Sequence, residues 1–414
     1  MAPVILKEDI TIPGISSNQE FRTWIVNNGI VFHDNLQIST SSLGGIGLTF
    51  DGSSYNNNNK DEDLKILTIP AAITLDYQSL LKLLQELKSR DQQFKHINLL
   101  ESELVVHILK LLVPQSETEI IHCYVVAFKI LQNYRSNDEY YAKSPLQAYF
   151  TYIDILCSTF TMGFPTVAES KDHFVQKLIT MSNVVKSKYD SLISELSEVY
   201  KDLDMKKLIP FDTYFQIYQA IKSRTLEIPH AINMSSLQVN EEDEINSDRE
   251  EDENKSQDDF HVNVTLVPVL DFANHIHHNN AYFDIDSSTQ DIVLKLKHDR
   301  VETSQFEVTI NYSPIESIPH FINSYGFIPS INEEPHQYQL LELKLTNLNK
   351  IVKNGEIMCK WLRILPQIQI VYNGTEVFLN FFNNNLPLLF TKDLEYNATW
   401  DQIVHGYKIE DPEV

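Results

Sequence analysis

Asp271-Phe272-Ala273-Asn274-His275 brings a carboxylate, a carboxamide and an imidazole into five residues, directly downstream of Val267-Pro268. Tyr312 stands 38 residues after Asn274, in Glu307-Val308-Thr309-Ile310-Asn311-Tyr312. Tyr325 follows 13 later, in Ser324-Tyr325-Gly326-Phe327-Ile328-Pro329. A single tyrosine of this kind can be a core ring with one hydroxyl partner. Two of them after an Asp-x-x-Asn-His run suit a site that desolvates a polar group and orients it. Gly44-Gly45-Ile46-Gly47 adds a backbone that can approach a ligand closely, although such strings also make plain tight turns. In Ser223-Arg224-Thr225 the arginine either complements a helix end or makes a charge-assisted contact to a carboxylate. His275, His277 and His278 could offer imidazoles to a metal at close range. No acidic ligand or second histidine cluster lies at a familiar spacing, so a polar surface loop is the better reading and no metal is expected.

These residues need elements to hold them. Asn18 to Val26 reads as a short helix, with Phe21, Trp24 and Ile25 on one face and Gly29 as the stop. Val31 to Phe50 is β-like, broken at the glycine turn; Ser53 to Asp63 is a polar loop, and Leu67-Thr68-Ile69-Pro70 closes a further strand. From Leu75 to Arg224 the period is helical. Leu80, Leu81, Leu84 and Leu87 repeat at helix spacing, as do Leu100, Leu104, Ile108 and Leu111. Further helices are expected over Ile120 to Tyr134, Asp172 to Tyr200 and Phe211 to Arg224, the last led by Pro210 and Asp212. Glu241 to Asp259 carries eleven carboxylates against one Arg and one Lys, a run that cannot pack and is expected to be disordered. Strands follow over His261 to Leu270, Phe283 to Ile285, Ile292 to Leu296 and Phe306 to Asn311, while Tyr338 to Leu345 fits strand or helix equally. No internal repeat is present.

The 414 residues suffice for two or three domains, and 43% hydrophobic with 22% charged residues is ordinary for a soluble protein. No apolar run approaches the roughly 20 residues of a membrane span. The start, Met1-Ala2-Pro3-Val4, resembles neither a signal nor a transit peptide, so a cytoplasmic protein is expected, without excluding the nucleus. Cys123, Cys157 and Cys359 are far apart and fit reduced thiols. A net charge of −24 argues against nucleic acid and towards basic partners.

Taken together, the glycine turn, Asp271 to His275, Tyr312 and the Tyr325-Gly326-Phe327 segment resemble the motifs of SET-domain protein-lysine methyltransferases. The resemblance is to the Rubisco large-subunit methyltransferase-like group, and to its fungal members that modify ribosomal proteins and elongation factors. It implies an α+β, SET-type fold: short β-sheets interrupted by a large helical insert, with a small C-terminal module. The SET domain would span 17–313, made of 17–74, the insert 75–225, an acidic loop 234–260 and 261–313. An active-site segment 314–330 and a reduced substrate-binding module 331–414 would follow. The resemblance further implies S-adenosylmethionine as cofactor. Gly44, Gly45, Ile46 and Gly47 would hold it through backbone atoms, and Arg224 would pair with its carboxylate. The Asn274 side chain and the His275 backbone would recognise its amino and adenine groups, Asp271 would be a further cofactor-binding residue, and Phe327 would pack nearby. Tyr312 and Tyr325 would line the lysine channel as catalytic residues, Tyr312 touching the cofactor as well.

Because methyl transfer to an amine is an in-line displacement, the enzyme's work is positioning. Lysine, with a pKa of about 10.4, must first lose its proton. The implied substrate is a basic, lysine-presenting protein, an elongation factor or ribosomal protein first and cytochrome c as the alternative, met by a monomeric enzyme. Ser313 replaces the glycine that usually follows the first tyrosine, and His320-Phe321 stand where relatives often have Glu-Leu. A non-catalytic SET-like interaction module is the second reading; a metal hydrolase on the three histidines is the third.

Overall fold

The computed structural model describes residues 5–7, 10–53, 55, 62–94, 97–134, 139–159, 173–231, 260–313, 318–327, 339–344, 367–372 and 377–379. The chain divides into two compact units, Met1–Tyr312 with Ser324–Gly326, and Ser313–Asn323 with Phe327–Val414.

In the first unit, α1 (Asn18–Asn27) starts at Ser17, whose hydroxyl accepts the Glu20 N–H as an N-cap. Phe21, Trp24 and Ile25 are buried, and the chain leaves through Gly29 at φ +69°, a left-handed turn that glycine makes without strain. Next come β1 (Val31–Phe32), β2 (Leu36–Thr40), β3 (Ile46–Asp51) and β4 (Leu64–Ile69). The helical insert holds α2 (Tyr77–Asp91), α3 (Glu101–Leu112), α4 (Glu117–Tyr134), α5 (Glu139–Ala142), α6 (Gln147–Ser158), α7 (His173–Val199), α8 (Met205–Leu208) and α9 (Phe211–Arg224). The centre of α4 is buried on every side, from Ile121 to Phe128 without a gap, so it is the insert's central helix. Around it the other helices show the one-sided pattern. On α2 the buried set is Leu80, Leu83, Leu84 and Leu87; Leu81, expected inside, is 40% exposed. Leu111 on α3 likewise points outward at 37% exposure, because the buried stripe there is Leu104, Val105 and Ile108. The insert is tied back to α1 where Trp24 Nε1 donates to the Ala148 carbonyl on α6 at 2.7 Å.

The chain re-enters sheet structure through β5 (Thr225–Ala231) and β6 (Phe260–Leu266), an antiparallel pair with Thr225 opposite Leu266 and Ala231 opposite Phe260. The acidic run lies outside the described residues, between the two ends of this pair. The strand expected to reach Leu270 ends at Leu266, since Pro268 has no N–H to pair and Val269 sits at φ +72°. A single 3-10 turn over Leu270–Phe272 follows, then β7 (Asn274–His275), β8 (Ala281–Ile285), β9 (Ile292–Leu296) and β10 (Gln305–Ile310). One sheet has the order β1-β4-β9-β8, and a second the order β2-β3-β10-β7. Among the described strands of these two sheets, the pairings are antiparallel except β10 with β7, where Thr309 faces Asn274 and Ile310 faces His275. The fold is therefore α+β, with strands from both sides of the insert in each four-stranded sheet.

α10 (Ile318–Ser324) was not foreseen in the sequence; it carries the chain from the second unit back to Ser324–Gly326 of the first. The second unit also contains an antiparallel sheet of β11 (Gln339–Lys344), β12 (Gln367–Tyr372) and β13 (Val377–Leu379), which resolves the ambiguous Tyr338 to Leu345 stretch as strand. Cys359 and the rest of 331–414 lie outside the described residues.

Candidate active site

The turn between β2 and β3 runs Ser41 to Gly45, closed by the Ser41 N–H donating to the Gly45 carbonyl at 3.0 Å. Gly44 (φ +113°) and Gly45 (φ +68°) both adopt backbone that side chains resist, and nothing lies within 4 Å of where a Cβ would stand. Their backbone is thus open to a ligand. Gly47 is glycine for a different reason: a Cβ would sit 2.8 Å from Glu307 Oε1 and 3.1 Å from Asn274 Nδ2.

Glu307, on β10, is the residue that organises this corner, and its role was not read from the sequence. Its Oε1 accepts from Ser41 Oγ at 2.5 Å and from Asn274 Nδ2 at 3.0 Å. Its Oε2 accepts from the Ser42 N–H at 3.1 Å and Ser42 Oγ at 2.9 Å. One carboxylate therefore bolts the glycine turn to the Asn274 side chain. Asn274 Nδ2 also donates to the Ile46 carbonyl at 3.1 Å, so its donors hold protein while its carboxamide oxygen accepts from no described residue.

Behind β7 lies an ion pair. Arg224, ending α9, donates through Nη1 to Asp271 Oδ2 and to the Asp271 carbonyl, each at 3.0 Å. The Tyr152 hydroxyl, from α6, donates to the same Oδ2 at 3.0 Å. The Asp271 side chain is fully buried and that of Arg224 is 14% exposed. Burial works against charge on the guanidinium, and the adjacent Asp271 carboxylate overcomes this and raises its pKa further. Arg224, expected to meet a cofactor carboxylate, thus has its Nη1 committed to Asp271; its Nε, like Asp271 Oδ1, is buried without a partner.

Tyr312 follows β10. Its hydroxyl donates to the Ala273 carbonyl at 2.9 Å and its N–H to His275 Nδ1 at 3.1 Å. The His275 ring, tilted against Tyr312 at 5.2 Å, therefore accepts through Nδ1 and carries its N–H on Nε2. Tyr325 stands with its ring centroid 4.9 Å from that of Tyr312. Burial raises both phenols, Tyr312 well above the usual range and Tyr325 up to about 12, where Glu227 adds to the effect. Both stay neutral near pH 7. Asn280 fixes β10 beside them, accepting the Thr309 N–H at 2.8 Å and donating to the Glu307 carbonyl at 2.7 Å.

The structure thus gathers Gly44 to Gly47, Asn274, His275, Tyr312, Tyr325 and the Arg224–Asp271 pair at the end of the β2-β3-β10-β7 sheet. Phe327 falls in the second unit, edge-on to Phe321 at 5.5 Å and 37% exposed. Tyr152 and Glu307 are the members that sequence reasoning missed. His277 and His278 stack edge to face at 5.0 Å, and among the described residues no three His, Cys, Asp or Glu side chains gather to hold a metal ion.

An α+β chain of interleaved sheets, with an open glycine turn beside a buried ion pair and two neutral tyrosines, is the class of protein these features define. The family model of cytochrome c lysine N-methyltransferase 1 matches residues 19–402. This chain belongs to that family. The cytochrome c lysine N-methyltransferase 1 of Kluyveromyces lactis is 28% identical over 339 residues, 78% of this chain and 59% of that protein. The protein of the same name from Saccharomyces cerevisiae is 28% identical over 389 residues, 87% of this chain and 59% of that protein. The chain therefore spans about three-fifths of the length of these relatives. Among solved structures, the SET domain of LSMT bound to lysine and AdoHcy is 15% identical, with a TM-score of 0.48, covering 90% of this chain and 70% of that one. Rubisco LSMT bound to AdoMet is 14% identical with a TM-score of 0.46, covering 94% and 74%.

Proposed function

We propose that this protein is an S-adenosylmethionine-dependent protein-lysine N-methyltransferase whose substrate is cytochrome c. The observation that carries the chemistry is the pair of neutral tyrosines, 4.9 Å apart, at the sheet end that also bears Asn274, in a chain of this family. Cytochrome c, the alternative raised from the sequence, is the substrate the family's name supports. An elongation factor or ribosomal protein gains nothing from it.

The residues present fit the cofactor. Gly44 and Gly45 offer open backbone, and the Asn274 carboxamide oxygen is free to accept from an amino group. When bound, S-adenosylmethionine supplies an electrophilic methyl group on a sulfonium. The protein's own part is to position and desolvate the amine. Tyr312 gives its proton to the Ala273 carbonyl, so its lone pairs remain to accept an N–H of the incoming lysine. With Tyr325 it forms an aromatic wall that favours the neutral amine, whose lone pair is the nucleophile. The amine's proton goes to water before attack, since both phenols titrate too high to serve as bases. Arg224 and Asp271 take a supporting part, setting the β7 backbone from beneath. We also propose a reducing, cytoplasmic setting, supported by free Cys123 and Cys157.

The test is incubation of the full chain with labelled cofactor and, separately, with cytochrome c and with a ribosome and elongation-factor fraction of the same organism. Label on a lysine of cytochrome c is expected. Label confined to the translation fraction would overturn the substrate, and label on histidine, or none despite cofactor binding, would overturn the chemistry.

Glu307→Gln bears on the cofactor cradle. The amide replaces one acceptor oxygen by a donor that faces other donors, which loosens the turn from Asn274. Cofactor affinity is expected to fall about five- to thirtyfold, the cost of one or two unmade buried hydrogen bonds. Equilibrium dialysis measures it, and an unchanged affinity would remove Glu307 from the cradle.

A further inference from the structure

The helical insert contains a cleft of about 220 Å³ bounded by the end of α3 and by α4, α7 and α9. Leu112, Pro114, Met181, Val184 and Val185 make its apolar walls. Val184 is 52% exposed, so an apolar side chain of the lining faces solvent at the opening. At the floor His122 is only 7% exposed, yet its Nε2 has no hydrogen-bond partner. Tyr214 and Tyr218 close on the imidazole edge to face, at 4.8 and 5.7 Å.

The chemistry of the floor narrows the ligand. Burial holds His122 at about 4, against the Tyr214 backbone carbonyl, so the ring is neutral near pH 7 and has one N–H; with Nε2 unpartnered, that carbonyl assigns the proton to Nδ1. Nε2 is then left as a bare acceptor, and a buried acceptor without a partner costs free energy that a donor would recover. The charged groups of the cleft, Glu119 and Lys188, neutralise one another at 3.0 Å, and Glu119 also accepts the Gln115 N–H at 2.7 Å. No net charge is left to attract an ion. A cavity of roughly 150 Å³ is already enough for a benzene ring.

We propose that this cleft binds an uncharged aromatic ring carrying one hydrogen-bond donor, of the phenol or indole kind, with the donor on His122 Nε2 and the ring between the tyrosines and the α7 valines. Two sources share that chemistry: a free aromatic molecule, or a tyrosine or tryptophan side chain of a protein. The inference does not depend on the methyltransferase reading.

Fluorine NMR titration of the full chain with para-fluorophenol and with fluorobenzene tests it. The phenol is expected to bind saturably and about three- to tenfold more tightly than fluorobenzene, the worth of one hydrogen bond. His122→Phe should erase that preference. Val184→Trp, at an exposed lip position that folding tolerates, should weaken both ligands about tenfold or more by filling the mouth. Absence of saturable binding, equal affinities in the wild type, or a preference that survives His122→Phe would overturn the proposal. If His122→Phe does not fold, the Val184→Trp result decides: undiminished binding overturns it, as binding at the paired tyrosines would produce. Competition by N-acetyltyrosinamide assigns the cleft to a protein side chain; binding of para-fluorophenol alone assigns it to a free molecule.

Discussion

Tyr325→Phe is expected to lower the rate of lysine methylation roughly 30- to 1000-fold, the effect of losing a positioned hydroxyl worth about 2–4 kcal/mol in the transition state. The substitution keeps the ring, and with it the 4.9 Å packing on Tyr312, so the channel wall stays in place. Cofactor affinity should remain within a few fold, because the open glycine turn and Asn274 are untouched. Tyr312→Phe should differ. Its hydroxyl is the one bonded to the Ala273 carbonyl, inside Asp271 to His275, so its loss should weaken cofactor binding and slow transfer together. Single-turnover rates with direct measurement of cofactor affinity separate the two patterns. Full activity and an unchanged product pattern for Tyr325→Phe would remove that residue from the chemistry and, with it, the alignment that assigned it.

The contrast between these tyrosines shows what the sequence could and could not convey. Local signals read well. Gly29 ends α1 as its position suggested, and the strand-turn-strand around Gly44-Gly45 is there because the turn needs φ values that glycine supplies. The helical period of the insert placed most of its elements, but the choice of Leu83 over Leu81 depends on which neighbouring helix covers α2. That information is tertiary. So is the whole β5 strand, whose Thr225-Leu226-Glu227-Ile228 follows a helix with no punctuating glycine or proline and is strand because β6 pairs with it.

The site divides in the same way. Motif residues that touch through backbone register, such as Asn274 and His275 opposite Thr309 and Ile310, were legible as segments. Residues that act across the fold were not. Glu307 reaches Ser41 from 266 residues away, and Tyr152 reaches Asp271 from 119. Glu307 stands in the quoted Glu307 to Tyr312 segment with nothing there to assign it a role, and Tyr152 stands in no string that distinguishes it from a core ring. Arg224 was legible as a residue but not in its protein partner: from sequence a helix-terminal arginine near a ligand reads as a ligand contact, and the fold gives it a buried carboxylate as well.

That ion pair carries the largest expected effect on stability. Arg224→Met leaves the fully buried Asp271 carboxylate without a counter-charge, and Asp271→Leu leaves a guanidinium that is almost as enclosed. Either single change is expected to cost about 3–5 kcal/mol, read from urea denaturation midpoints at constant slope. The double variant should be more stable than either single one, because the desolvation penalty of both charges is removed at once. Recovery should stop short of the wild type. Tyr152 loses the acceptor 3.0 Å from its hydroxyl, and an unmade buried hydrogen bond costs about 1–3 kcal/mol. Adding Tyr152→Phe should return that remainder, which distinguishes a three-member network from a pair with a bystander. The cofactor arm of the same series assigns the pair its role. If Arg224 and Asp271 act by holding β7, the triple variant recovers stability and most cofactor affinity together. If Arg224 itself holds the ligand, stability returns and affinity does not. Additive single effects, with no recovery in the double variant, would show that the two charges are not coupled and would overturn the arrangement described for them.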